Sequence, residues 1–341
     1  MYRHLLVPVD DTDLSISVVG NAVALAGAVG ARVTFFHAVA DDASSLRGEA
    51  EILRLTAPAE YEYAAHGKTQ ELLAKAEAAA RALGVPCGSR QVISDKPAQA
   101  IVAAAREAGC DLIFMASHGR HGKLGMALVS EMLEVLMNAR LPVLISSIGE
   151  PAVPARAIGI IRDEHRSLAA VMHAWMHALA AARRAGNGAD PALMRAIVRY
   201  VRQFPVQLHH PKEEQHLFRR LRERTSSCDA ELDELERQHQ RDHELVVALE
   251  RQVEALATAE GAARVQATAA LEEGVTGYAQ FLWDHLGREE GVILPAAQRF
   301  LLADDWESID QAFAANRDPN FNGADREYRQ LFARIVNLVQ A

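Results

Sequence analysis

Short apolar runs alternate with longer amphipathic stretches from Met1 to about Ile148. The amphipathic stretches carry apolar residues three and four positions apart, which is the spacing of a helix with one buried face. This alternation predicts βαβ units and an α/β fold with a parallel five-stranded sheet and flanking helices. The predicted strands lie at 5–9, 32–37, 88–93, 112–116 and 142–146, and the predicted helices at 14–29, 61–83, 97–108 and 130–138.

The period changes beyond a proline-containing linker that we predict at 148–157. Long stretches with 3.6-residue apolar spacing follow, and short turn segments join them. Such short connections make neighbouring helices antiparallel, so 158–341 is predicted to be an up-down-up-down four-helix bundle with a helical extension. The bundle helices are predicted at 159–184, 192–224, 230–257 and 263–302, and further helices at 306–316 and 327–339.

Composition narrows the classes of protein that fit. A chain of 341 residues is long enough for two domains, and its net charge of −9 argues against nucleic acid as the main partner. We find no signal-peptide pattern and no apolar run of membrane-spanning length. We therefore expect a cytoplasmic protein without a membrane partner, with its three cysteines reduced.

Histidines and glutamates recur in the middle of all four predicted bundle helices. A spacing of four residues places two side chains on one helix face, one turn apart, and three helices carry such a pair. These pairs and a histidine on the first helix can point at one inner volume. The predicted metal ligands are His165, His209, Glu213, His239, His243, His285 and Glu289.

The donor types in this set indicate which metal it would hold. Imidazoles and carboxylates without thiolates favour iron, with manganese or zinc as alternatives. Bridging carboxylates offset the repulsion between two close cations. The sequence therefore predicts two non-haem iron ions, with a coordination position left for O2, NO or another small oxidant.

These segments resemble the hemerythrin-like, or HHE cation-binding, family over nearly all of 158–341. The resemblance implies the ligand set above, with Glu289 bridging the irons. Hemerythrins proper place the last carboxylate five residues after its histidine, which would select Glu290. Pro205 and Pro211 predict a break and a bend in the second helix, which leave His209 and His210 as alternatives. The matching segments are 161–165, 204–214, 236–239 and 285–295.

Residues 4–15 and 111–122 resemble the opening strand and the fourth-strand loop of universal stress proteins, and the resemblance covers about 1–147. In ATP-binding members, loop glycines bring backbone N–H groups to the phosphates. Here Ala116 and Val129 replace two of the three glycines, which argues against ATP binding. The nucleotide contacts that the resemblance implies are Asp10, Gly119 and Ser130.

We interpret the chain as a non-enzymatic di-iron sensor or carrier for a stress response. Its N-terminal domain would serve dimerisation, as a homodimer, or regulatory output. One alternative is a di-iron enzyme that acts on peroxide or NO or donates iron for repair, which would need a proton donor such as Tyr200 or Tyr278. Another is a regulator gated by ATP at the first domain.

Overall fold

The computed structural model describes residues 2–10, 12–39, 58–116, 131–146 and 156–314. Contacts between Cα atoms divide the chain into two compact units, Met1–Ala152 with Trp283–Pro295, and Val153–Leu282 with Ala296–Ala341. The predicted helix at 327–339 and most of the predicted linker lie outside the described residues.

The first unit contains the predicted five-stranded sheet. The strands are β1 His4–Pro8, β2 Arg32–Val39, β3 Cys87–Ile93, β4 Leu112–Ala116 and β5 Val143–Ser146. All strand pairs are parallel, and the strand order is β3-β2-β1-β4-β5. Leu5, Leu6 and Val7 of the central strand are fully buried, as expected for a parallel sheet covered on both faces.

Helices connect these strands, and local sequence signals set their ends. Thr12 caps the first helix by accepting a hydrogen bond from the Ser15 N–H, and Gly30 ends it with a φ of 70°. The strand order reverses between β1 and β4, and ligands of open α/β sheets bind at such a point. The helices are α1 Asp13–Val29, α2 Pro58–Ala82, α3 Pro97–Glu107 and α4 at 131–138.

The C-terminal part of the chain is helical, which confirms the predicted helical bundle. Trp175, Tyr200, Tyr278 and Trp306 are among the largest fully buried side chains of its core. None of the helices that the structure describes is both long and apolar enough to cross a membrane. The helices are α5 Arg156–Arg184, α6 Pro191–Val201, α7 His210–Lys212, α8 Arg219–Arg224, α9 Asp229–Thr258, α10 Gly261–Arg288, α11 Leu294–Phe300 and α12 Ala303–Ala314.

Three π-helical segments interrupt these helices, at Arg202–His209, Glu213–Phe218 and Glu289–Ile293. The His210 N–H donates to the Pro205 carbonyl, and the Leu294 N–H donates to the Glu289 carbonyl, five residues back in each case. Pro205 lies inside the first segment, where the sequence predicts a break. Such wide turns occur frequently at functional sites, and these three lie beside predicted ligands.

Candidate metal centre

The structure gathers six of the seven predicted ligands, together with His210, into two groups of buried side chains. In each group, one potential ligand atom per residue lies within 4.8 Å of the others. Glu213 belongs to both groups, so its carboxylate is placed to bridge two metal ions. The first group, group A, is His210, Glu213, His239 and His285, and the second, group B, is His165, His209, Glu213 and Glu289.

The two consecutive histidines of the second helix both reach the site, one in each group. Adjacent residues of an α-helix point about 100° apart, because 3.6 residues complete a turn. A π-helical segment, whose turn is wider, ends at His209, and both His209 and His210 are buried, at 3% and 4% exposure. The structure therefore brings both His209 and His210 into the ligand groups, which sequence spacing alone did not indicate.

The structure places His243 elsewhere. His243 is exposed and belongs to neither group, whereas Asp242 beside it is 1% exposed. The buried face of α9 passes from His239 to Asp242 in a step of three residues and reaches Val246 in a step of four. A His-x-x-x-His spacing is compatible with both histidines on one helix face. On α9, however, the residue three positions after His239 points inward, and the residue four positions after it does not.

Glu289 and Glu290 are both buried, but they contact different partners. Glu289 belongs to group B, and its Oε1 lies 3.7 Å from Nε2 of His285. Glu290 accepts from Lys75 Nζ at 3.5 Å, and both residues lie in the first compact unit. Burial alone lowers the pKa of Lys75, but the Glu290 and Glu71 carboxylates raise it above the ordinary value. The structure thus brings Glu289, and not Glu290, into group B, and the bridging role of Glu289 stays a prediction.

Three carboxylates outside the predicted ligand set face the Nδ1 atoms of site imidazoles. Such contacts fix the tautomer of a ligating histidine and leave Nε2 for the metal. The sequence indicates these three carboxylates only weakly, because carboxylates are common on helix faces. Glu164 and Asp242 differ from most such residues because they lie among the buried positions of their helices. The contacts are Glu164 Oε2 to His209 at 2.6 Å, Glu214 Oε1 to His239 at 2.7 Å and Asp242 Oδ2 to His210 at 3.5 Å.

The Nε2 atoms of His165, His209 and His239 lie close to one another or to the Glu213 carboxylate. His165 Nε2 lies 3.1 Å from His209 Nε2, and His209 Nε2 lies 3.1 Å from Glu213 Oε1. The other oxygen of Glu213, Oε2, lies 3.5 Å from His239 Nε2. The two oxygens of one carboxylate therefore face imidazoles of different groups, which is the arrangement of a bridging ligand.

The electrostatics of the site follow from burial and close charges. Burial alone lowers the pKa of His209, but the carboxylates of Glu213 and Glu164 raise it well above its ordinary value. Burial raises the pKa of Asp242 to about 6, against the opposing influence of the Tyr278 hydroxyl and of His239. Burial and the adjacent Asp242 raise the pKa of Tyr278 well above its ordinary value.

The donor set fits a pair of metal ions. Its five imidazoles and two carboxylates are all buried, and burying so many ionisable groups without a compensating partner is costly. Imidazole and carboxylate donors suit iron, zinc and manganese. Four protein ligands in each group leave coordination positions for a small molecule.

A second candidate site is a cavity of about 110 Å3 at the carboxyl ends of β1, β2 and β4. Asp10, one of the predicted nucleotide contacts, lines it together with Ser15, His37 and Glu131. Burial, followed by the charges of Asp10 and Glu134, raises the pKa of Glu131. Two carboxylates in the wall disfavour a polyphosphate. The other predicted contacts, Gly119 and Ser130, lie outside the described residues.

The chain was compared with curated protein sequences and with solved structures. No curated protein sequence matches the chain. Solved structures similar to its N-terminal part include a universal stress family protein from Burkholderia pseudomallei, 24% identical over 42% of this chain and 96% of that one, with a TM-score of 0.33. Another, from Archaeoglobus fulgidus and described as a complex with dAMP, is 21% identical over 42% of this chain and 97% of that one, with a TM-score of 0.30.

Two family models match the sequence in separate regions. The model of the universal stress protein family matches residues 1–147, and that of the hemerythrin HHE cation binding domain matches residues 156–297. All seven residues of the two ligand groups lie in the second match. The chain therefore joins a universal stress protein domain to a hemerythrin HHE cation-binding domain.

Proposed function

We propose that residues 156–297 hold two non-haem iron ions and that this centre binds or senses O2, NO or another small oxidant in a stress response. The observation that carries the proposal is the pair of buried ligand groups that share Glu213. The HHE domain supports a role in binding non-haem iron, and the universal stress protein domain supports the stress context.

Different residues of the site would bind each of the two iron ions. Glu213 would contact both ions. One ion would also be held by the other residues of group B, His165, His209 and Glu289, and the second by those of group A, His210, His239 and His285. When bound, two ferrous ions supply electrons and open coordination positions to a diatomic ligand. Because the ligands come from all the long helices of the bundle, metal binding would also stabilise its packing.

Aromatic rings surround the imidazoles and favour a small uncharged ligand. Phe204 stacks on His209 with ring centroids 6.3 Å apart, and Phe313 meets the same ring edge-on at 6.2 Å. Phe218 stacks on His239 at 5.7 Å. These apolar walls limit the access of water and charged solutes, which is expected of a site for O2 or NO.

We propose that the N-terminal domain forms a homodimer or passes the response to a partner. Strand β5 lies at one edge of the sheet, and an edge strand presents backbone groups that can pair with another chain. Leu144 on this strand and Leu133 and Met137 on α4 are exposed, Met137 by 84%. Sedimentation of the full chain should give a dimer, and M137E should shift it towards monomer; a wild-type monomer would contradict the dimer.

The test of the metal centre is its iron content and absorption spectrum. Protein reduced and loaded with Fe(II) without oxygen should bind about two irons per chain and gain absorption bands on exposure to air. Reversal of these bands on removing O2 would favour a carrier or sensor, whereas catalytic consumption of the oxidant would favour the enzyme. Failure to retain iron after anaerobic loading would refute the proposal.

A further inference from the structure

The second and third helices of the bundle each present a carboxylate to a histidine of the other. Glu214, in the π-helical segment of the second helix, presents Oε1 2.7 Å from Nδ1 of His239 on α9. Asp242, three residues further along α9, presents Oδ2 3.5 Å from Nδ1 of His210 on the second helix. Each helix thus supplies one imidazole and the carboxylate that faces the imidazole of the other.

The two imidazoles held in this way are parallel. The rings of His210 and His239 stack with centroids 4.0 Å apart and an interplanar angle of 7°, and the Phe218 ring stacks on His239 at an angle of 13°. Both histidines belong to group A. The ring orientation that this metal position needs is therefore built from a stack of rings with a carboxylate at each Nδ1.

Asp242 has a further polar neighbour in the core of the bundle. The hydroxyl of Tyr278, on α10, interacts with the Asp242 carboxylate. Both side chains are 1% exposed. Tyr278 thus places a third helix next to the carboxylate that faces His210.

We propose that Glu214 and Asp242 form a reciprocal clamp, a pair of positioning residues that orient His239 and His210 for the metal ion of group A. This inference rests on the proposed function, because it concerns one of its two metal positions. A carboxylate at Nδ1 fixes the tautomer and orientation of a ligating imidazole and raises its basicity. Loss of such a partner typically lowers metal affinity about 10- to 100-fold.

The clamp belongs to one metal position and not to the other. In group B, the Nδ1 of His209 faces Glu164, which lies on α5 and contacts neither clamped ring in the contacts described above. Weakening the clamp should therefore release one metal ion and leave the second bound. A general loss of bundle stability would weaken both positions together.

The experiment uses the full chain with D242N, E214Q and the double variant. Y278F tests the support of Asp242, and E244Q is the matched control, since Glu244 is an exposed carboxylate on the same helix. Anaerobic Fe(II) titration in competition with a chelator counts the tight sites. We expect two in the wild type and in E244Q, and one tight site plus one weakened about 10- to 100-fold in the clamp variants. Y278F should weaken the same site to a smaller extent.

A spectroscopic readout separates positioning from folding. The clamp variants should retain one iron and wild-type helix content by circular dichroism, but lose the air-induced bands that need both irons. Two tight sites in D242N and E214Q, or equal weakening of both sites, would overturn the clamp. Failure of the wild type itself to bind iron would instead refute the proposed function.

Discussion

Substitution of Glu213 by alanine is the strongest single perturbation of the proposed centre. Glu213 is the only residue found in both ligand groups within the described part of the chain, and its two oxygens face imidazoles on opposite sides. Its removal takes one ligand from each metal position. We therefore expect E213A to lose both ions, whereas replacement of a ligand that belongs to only one group should mainly affect the ion of that group.

The expected magnitude follows from the coupling of binding to folding. A ligand at one hundred times its Kd stabilises the folded state by about 2.7 kcal/mol, so two such sites contribute about 5 kcal/mol. For a domain of this size, about 1 kcal/mol shifts Tm by roughly 2–4 °C. Saturating Fe(II) should thus raise the Tm of the wild-type helical domain by on the order of 10 °C or more.

The assay compares Tm with and without Fe(II) within each variant, under anaerobic conditions. This within-variant difference removes the effect of E213A on the metal-free protein, where a buried carboxylate beside imidazoles is lost. H243A is the matched control because His243 is an exposed histidine outside both groups. We expect the full shift in H243A and little or none in E213A. An equal shift in E213A and the wild type would refute the bridging role of Glu213.

Three further predictions concern separate parts of the molecule. H285A should reduce bound iron in elemental analysis, because His285 belongs to group A, and two retained irons would contradict this assignment. D305N should destabilise the protein at pH 7 by about 1–3 kcal/mol in urea unfolding, because Asp305 accepts two hydrogen bonds from Arg224 at 2.8 and 3.0 Å. The hydrogen bonds that Arg224 donates lower the pKa of Asp305, so the stabilisation is present above the unfolded pKa of Asp305 and is lost as pH falls through the lower folded pKa. An unchanged acid unfolding transition in D305N would contradict this. ATP should not raise the Tm of the N-terminal domain, because the carboxylates of Asp10 and Glu131 line its cavity and repel phosphate groups; a saturable rise in Tm would contradict this reasoning.

The sequence predicted the fold of both halves because each half has its own hydrophobic period. Strand β1 is a run of buried residues within a parallel sheet, which requires no long-range information to recognise. Helix α9 was predicted at 230–257 and is observed at Asp229–Thr258, since apolar spacing and a terminal turn define it. The π-helical segments were not predicted, because their hydrogen bonds depend on tertiary packing beyond the local propensity.

At the candidate site, sequence spacing likewise does not determine which single side chains point inward. Spacing on one face placed His239 on the third helix, but it could not separate a three-residue step from a four-residue step. The structure turns Asp242 inward and leaves His243 exposed. Spacing also could not reveal Glu164, because the partner it contacts, His209, lies on another helix.

The π-helical turns connect these differences to the proposed chemistry. A regular α-helix could present His209 and Glu213 to one side, but it would turn His210 away from them by about 100°. The wide turns around Pro205 and at Glu213–Phe218 let one helix supply ligands to both groups while Glu214 still reaches His239. Proline at 205 favours this arrangement because it lacks the N–H that a regular helical turn would use. Because of this shape, the second helix contributes one histidine to each of the two proposed metal positions. His165 from α5, His239 from α9 and His285 from α10 then complete the set of five histidines.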